Sequence, residues 1–247
     1  MFPIRDHNPS GRTAYVTFSL IAVNAVVFLG YWLTLPSELH LNSFFFKWGL
    51  VPENLMRGQG GVTILTSMFL HAGWLHILGN MLFLWIFGDN LEDEMGHFGF
   101  LAFYLLSGLA AAAAQVAIVP YSPVPMVGAS GAIAGVMGGY LLLFPKARVD
   151  VLFIFIIFFR VFAIPAWIVL GVWFVLQVFS GISMPGDMGG VAYWAHAGGF
   201  AGGLALAVPA FLRRGGTGFW QRTKGQPPHP AAEYTVVKSR VPRVPRR

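Results

Sequence analysis

The chain has 247 residues, of which 56% are hydrophobic and 11% charged, against about 25% charged in an ordinary soluble domain. That balance excludes a water-covered globule, and the absence of cysteine excludes a disulfide framework, a thiol nucleophile and a Cys-ligated metal. The net charge of +6 is uneven: nine of the sixteen Lys and Arg follow residue 212, beside one acid, Glu233.

Residues 1–15, polar and carrying Arg5 and Arg12, read as a short cytoplasmic N-terminus. The apolar run Val16 to Leu35 suits a spanning helix better than the shorter core of a signal peptide. Residues 36–73 are too mixed to span; with Phe44, Phe45, Phe46 and Trp48 they read as a long loop lying in the membrane interface. Five further spans follow, near 74–89, 98–119, 130–144, 164–181 and 191–212. The alanine run Ala110 to Ala114 permits close helix contact in the third, and Pro145 stops the fourth. Residues 151–159 are wholly apolar but too few to span as a helix. They read as an interfacial or protein-packed extension of the fifth span. Residues 16–212 thus form one all-α membrane domain of six helices, and 213–247 a basic, disordered cytoplasmic tail held near anionic lipid headgroups. Nothing in that tail resembles a nucleic-acid fold.

Lys and Arg in the loops set the expected orientation. Arg5, Arg12, Lys146, Arg148 and the tail fall on one side, which puts both termini in the cytoplasm. The second, fourth and sixth helices then start on the outer side and run inward. His76 and Asn80, Ser130, and His196 each lie near the start of one of these helices, so all four share a depth in the outer half. The fourth helix, about 22 Å long at 1.5 Å per residue, is shorter than the hydrocarbon core. The loop from Pro123 to Gly128 must therefore dip inward to deliver Ser130.

Small residues let helices four and six approach. Gly131 and Gly135 form one small-xxx-small pair, and Gly198/Gly202 and Gly199/Gly203 form two more. Alone, these glycines point first to plain helix packing. With Ser130 and His196 they allow a nucleophile and a base to meet. His76 and Asn80, spaced i, i+4, share a helix face. They can serve as interhelical polar contacts or as N–H donors to a developing oxyanion, together with the Ser130 backbone N–H at a helix N-terminus. No carboxylate is suitably placed to complete a triad. Glu38, Glu53 and Asp187 lie in loops, and Asp89, Glu92, Asp93 and Glu94 lie at the inner end of helix two.

These residues resemble the rhomboid family of intramembrane serine proteases. The family's Gly-x-Ser-Gly is matched by Gly128-Ala129-Ser130-Gly131, its Ala-His motif by Ala195-His196 before Ala197-Gly198-Gly199, and its His-x-x-x-Asn by His76 and Asn80. His71 matches a recurrent family histidine. The resemblance implies a six-helix rhomboid core and a Ser130–His196 dyad, with His76 and Asn80 aiding the oxyanion. Substrates would be single-span transmembrane proteins cut in or near the membrane, and no metal or organic cofactor is implied. The alternative is an inactive rhomboid-like protein that binds membrane clients. Two departures stand out. Val62 and Thr63 occupy the place of a common Trp-Arg pair, and Ala134 that of an aromatic residue that stacks on the histidine, leaving Phe200 or Met126 to orient His196. The expected location is a prokaryotic plasma membrane, with the active site opening outward.

Overall fold

A computed structural model describes residues 2–155, 158–184 and 190–227. In chain order the elements are β1 (Phe2–Asp6), α1 (Tyr15–Thr34), α2 (Glu38–Trp48), α3 (Pro52–Met56), α4 (Thr63–Thr66) with a 3-10 turn at Ser67–Phe69, α5 (Trp74–Met95), α6 (His97–Ile118), α7 (Ser130–Leu143), β2 (Arg148–Phe155), β3 (Phe158–Pro165), α8 (Ala166–Ser183), α9 (Tyr193–Arg213) and α10 (Thr217–Thr223). The chain is mostly helical. Helices α1, α6, α8 and α9 are each long and apolar enough to cross a membrane, and the bent pair Thr63–Phe69 with Trp74–Met95 makes a fifth candidate.

Helix α7 is the hub. Eleven of its fourteen residues are buried, so protein rather than lipid surrounds it, and it need not match the membrane thickness. α9 packs against α7 on one side and α6 on the other, with no room for side chains at the contacts. A Cβ on Gly199 would lie 2.1 Å from the Gly131 carbonyl oxygen, and one on Gly203 would lie 2.2 Å from that of Gly135. On the α6 side, a Cβ on Gly198 would lie 2.1 Å from the Ala114 Cβ. Glycine at these positions is thus a condition of backbone-to-backbone packing. In contrast α8 buries only Ala166, Leu170 and Gly181 and turns Val172, Val175, Leu176 and Phe179 outward.

Three expectations change. Residues 151–159 are not an extension of the fifth helix: they belong to an antiparallel β2–β3 hairpin, in register from Arg148 opposite Pro165 to Phe155 opposite Phe158. A short apolar run does not distinguish strand from helix by periodicity. Here the β-branched Val149, Val151 and Val161 fit the pleat. The deciding partner is remote, since β1 from the polar N-terminus pairs with β2. Arg5 grips the Asp150 carboxylate through Nε (3.1 Å) and Nη2 (2.6 Å), and His7 Nε2 lies 2.8 Å from its other oxygen. Burial pushes the Asp150 carboxyl up, but the His7 and Arg5 contacts outweigh it and hold it below its ordinary value. Second, residues 36–73 are not one loop but carry α2, α3 and α4. Third, the stretch after residue 212 is ordered at its start. In α10, Phe219 is buried and Trp220 Nε1 donates to the Leu142 carbonyl at 3.0 Å. The remaining tail, with Glu233, and the loop residue Asp187 lie outside the described residues.

The acidic residues at the end of α5 bind structure together. Glu92 accepts from the backbone N–H groups of Val16 and Thr17, both at 2.8 Å, supplying the first turn of α1 with acceptors that no capping side chain provides. Asp93 accepts from the Gly11 N–H at 2.8 Å, and Glu94 pairs with Arg214.

Candidate active site

The nucleophile candidate sits where a loop becomes a helix. Leu50 and Met126 exchange two backbone hydrogen bonds, at 3.0 and 2.7 Å, and the Gly128 N–H donates to the Ser67 carbonyl at 2.9 Å. These bonds hold the incoming strand. Gly128 then takes φ +133°, a conformation that side-chain-bearing residues rarely adopt, and α7 starts at Ser130. The start of α9 is fixed differently. Its N-cap residue, Ala192, has no capping side chain. Gln115 from α6 stands in, its Oε1 accepting from the Ala195 N–H at 3.0 Å.

These placements bring the Ser130 Oγ within 2.8 Å of the His196 Nε2, across 66 positions of sequence. The other ring nitrogen, Nδ1, lies 2.7 Å from the Gln177 Oε1. An amide oxygen can only accept, so Nδ1 carries the ring proton. The neutral ring therefore leaves Nε2 free to accept from the serine hydroxyl. Trp173, one turn before Gln177 on α8, has its ring centroid 5.7 Å from that of His196 with 33° between planes. Gln177 and Trp173 thus stand against the His196 ring, where Phe200 or Met126 was expected. Phe200 packs against Phe174 and Trp173 instead. The signal for Gln177 was in the sequence: it is the lone side-chain amide in the apolar run from Ala166 to Phe179.

His76 comes to the opposite side of Ser130. The Ala72 N–H donates to His76 Nδ1 at 3.2 Å, so Nε2 is the protonated nitrogen. It faces the space that glycine leaves at 128: a Cβ there would lie 2.9 Å from His76 Nε2 and 3.3 Å from Ser130 Oγ. Asn80 is buried, and its Nδ2 donates to the His76 carbonyl at 2.8 Å. His71 is fully buried. Its backbone N–H donates to the Tyr31 hydroxyl at 2.8 Å, and that hydroxyl donates to the His71 carbonyl at 2.6 Å. Its ring lies edge-on to His76, centroids 5.1 Å apart. Gly131 and Gly135 line the contact with α6, where a Cβ would meet Ala111 at 2.6 Å and Ser107 at 2.3 Å. A cavity of about 20 Å³ lies beside Ser130, lined by Ser67, Met126 and Ala195 among others. A larger one of about 230 Å³ adjoins it between Pro125, Met126, Ala192 and Trp194.

The Rhomboid domain family model matches residues 59–213, which hold all of these groups except Tyr31 and Leu50. The chain belongs to the rhomboid family. This rhomboid is an integral membrane protein. Rhomboid protein 1, mitochondrial, of Saccharomyces cerevisiae is 33% identical over 148 residues, 57% of this chain and 39% of the yeast protein. RHOMBOID-like protein 4 of Arabidopsis thaliana is 31% identical over 178 residues, 72% of this chain and 40% of its own. Rhomboid protease GluP of Bacillus subtilis is 39% identical over 90 residues, 36% of this chain and 17% of its own. The chain thus spans two fifths or less of the length of these relatives. Mitochondrial and chloroplastic proteins stand among the relatives beside bacterial ones, so the expected prokaryotic plasma membrane draws no support from them.

Proposed function

We propose that this rhomboid is a serine endopeptidase that cuts single-span transmembrane proteins in or near the membrane, with Ser130 as nucleophile and His196 as base. The observation that carries the reading is the 2.8 Å contact between Ser130 Oγ and His196 Nε2. In the first step Nε2 takes the hydroxyl proton as Oγ bonds to the scissile carbonyl carbon. The protonated imidazole then gives that proton to the departing amine as the C–N bond breaks. A water, deprotonated by the same nitrogen, releases the acyl group and restores Ser130. The oxyanion of each tetrahedral intermediate fits the space beside Gly128, within reach of the His76 Nε2–H and the Ser130 backbone N–H at the start of α7. Asn80 holds His76 through its backbone and has a second amide hydrogen to offer.

Helices α1, α5, α6, α7, α8 and α9 are proposed as six crossings, with the Lys- and Arg-rich ends of α7 and α9 in the cytoplasm and the Ser130 end outside. The basic end then lies against anionic headgroups. Labelling with a serine-reactive fluorophosphonate in detergent tests the reading. Wild type labels, and Ser130→Ala and His196→Ala each lose the label. Equal labelling of all three overturns the enzyme reading and leaves a client-binding role.

A further inference from the structure

We propose that Gln177 is a positioning residue: its amide oxygen fixes the His196 ring in the one neutral tautomer that can accept the Ser130 proton. The inference rests on the proposed serine chemistry and adds to it a third member that the sequence motifs do not contain. The geometry is direct, with Gln177 Oε1 at 2.7 Å from Nδ1 and Ser130 Oγ at 2.8 Å from Nε2. A neutral imidazole has one N–H. Were it on Nε2, the serine hydroxyl would face a donor and could not give up its proton. Two tautomers of similar energy would otherwise share the ring, and an acceptor at Nδ1 selects between them.

The surroundings of Gln177 argue against a packing role. Helix α8 is otherwise an apolar element turned largely outward, with Leu176 53% and Val175 63% exposed on either face of the same turn. An amide in such a helix is costly unless it is bonded, and the bond Gln177 makes is to the catalytic candidate. The inward face of α8 runs Leu170, Trp173, Phe174, Gln177, Gly181, the i, i+3, i+4 spacing of one helix stripe. Trp173 closes the ring's flank and Gln177 its Nδ1 edge, so a single stripe sets both the plane and the tautomer of His196. A neutral amide supplies the acceptor without a charge; a carboxylate oxygen here would accept equally well but bring a charge into an apolar helix.

Fluorophosphonate labelling kinetics test the inference, because they separate the maximal rate of the chemical step, kinact, from probe binding, KI. Gln177→Leu is expected to lower kinact about 10²-fold with KI unchanged, and Gln177→Glu, which keeps an oxygen acceptor at the same atom, to stay within about threefold of wild type. Gln177→Met, unbranched and of similar volume, controls for packing and is expected to behave as Gln177→Leu. Thermal unfolding of each variant checks that it is folded. Wild-type kinact in Gln177→Met, or equal losses in Gln177→Met and Gln177→Glu, overturns the positioning role. Label retained by Ser130→Ala instead overturns the serine reading on which it rests.

Discussion

Substituting Gly199 tests whether the contact between α7 and α9 sets the dyad distance. A Cβ added there would lie 2.1 Å from the Gly131 carbonyl oxygen. Carbon and oxygen need roughly 3.2 Å, so the helices must part by about 1 Å at this level. The obstacle is backbone, which no rotamer change removes. Gly199 is three positions past His196 and Gly131 adjoins Ser130, so most of the separation reaches the dyad. A contact of 2.8 Å would open to about 3.8 Å, outside hydrogen-bond range. Overpacking of this kind costs about 1–3 kcal/mol, which leaves the bundle folded. Gly199→Ala is therefore expected to lose about 10²-fold in fluorophosphonate labelling rate with a modest fall in melting temperature. Gly171→Ala, where an added Cβ meets nothing within 4 Å, should label as wild type. The α6 side offers a compensated pair. Gly198→Ala collides with the Ala114 methyl, and Ala114→Gly in the same chain should restore labelling. A Gly199→Ala protein that labels at the wild-type rate would refute the idea that helix contact fixes the dyad.

Asn80→Ala is expected to lower kinact by about 10²-fold or more, the usual loss of one oxyanion donor, and to leave KI close to wild type; unchanged kinact removes Asn80 from that role. Tyr31→Phe strands the buried N–H and C=O of His71, which now share one hydroxyl. It should cost about 2 kcal/mol of stability, read as a lower melting temperature; an unchanged value shows that these groups find other partners. Asp6 supplies a pH test. Burial pushes its carboxyl up to about 7 from 3.8, against the bond donated by the Tyr140 hydroxyl, with Asp89 adding to the rise. Because the folded-state value is raised, the stability held by protonated Asp6 is complete below about pH 4 and is lost as pH rises through about 7. Asp6→Asn should gain on wild type in melting temperature between pH 5 and pH 8; a constant difference across that range contradicts the assignment.

What the sequence disclosed and what it withheld divide along one physical line. Ser130, His196, His76 and the glycines of α7 and α9 stand out because each is an improbable residue in an apolar helix, and their spacing places them from local rules alone. Most helix bounds follow for the same reason: 20 apolar residues from Val16 define α1 to within one position, whereas α5 runs past the expected end near 89, through the acidic residues, to Met95. The pairing of β2 with β1 depends on a partner about 145 residues away, and a local pattern of nine apolar residues does not distinguish strand from helix. Gln177 lies between these cases. It is as improbable in α8 as His196 is in α9, yet no motif marks it, because an amide is not an acid, a base or a nucleophile. An amide performs no proton transfer. Its oxygen is nonetheless the partner that decides which nitrogen of His196 is basic, so in an apolar span a neutral hydrogen-bonding side chain carries as much functional information as a titratable one.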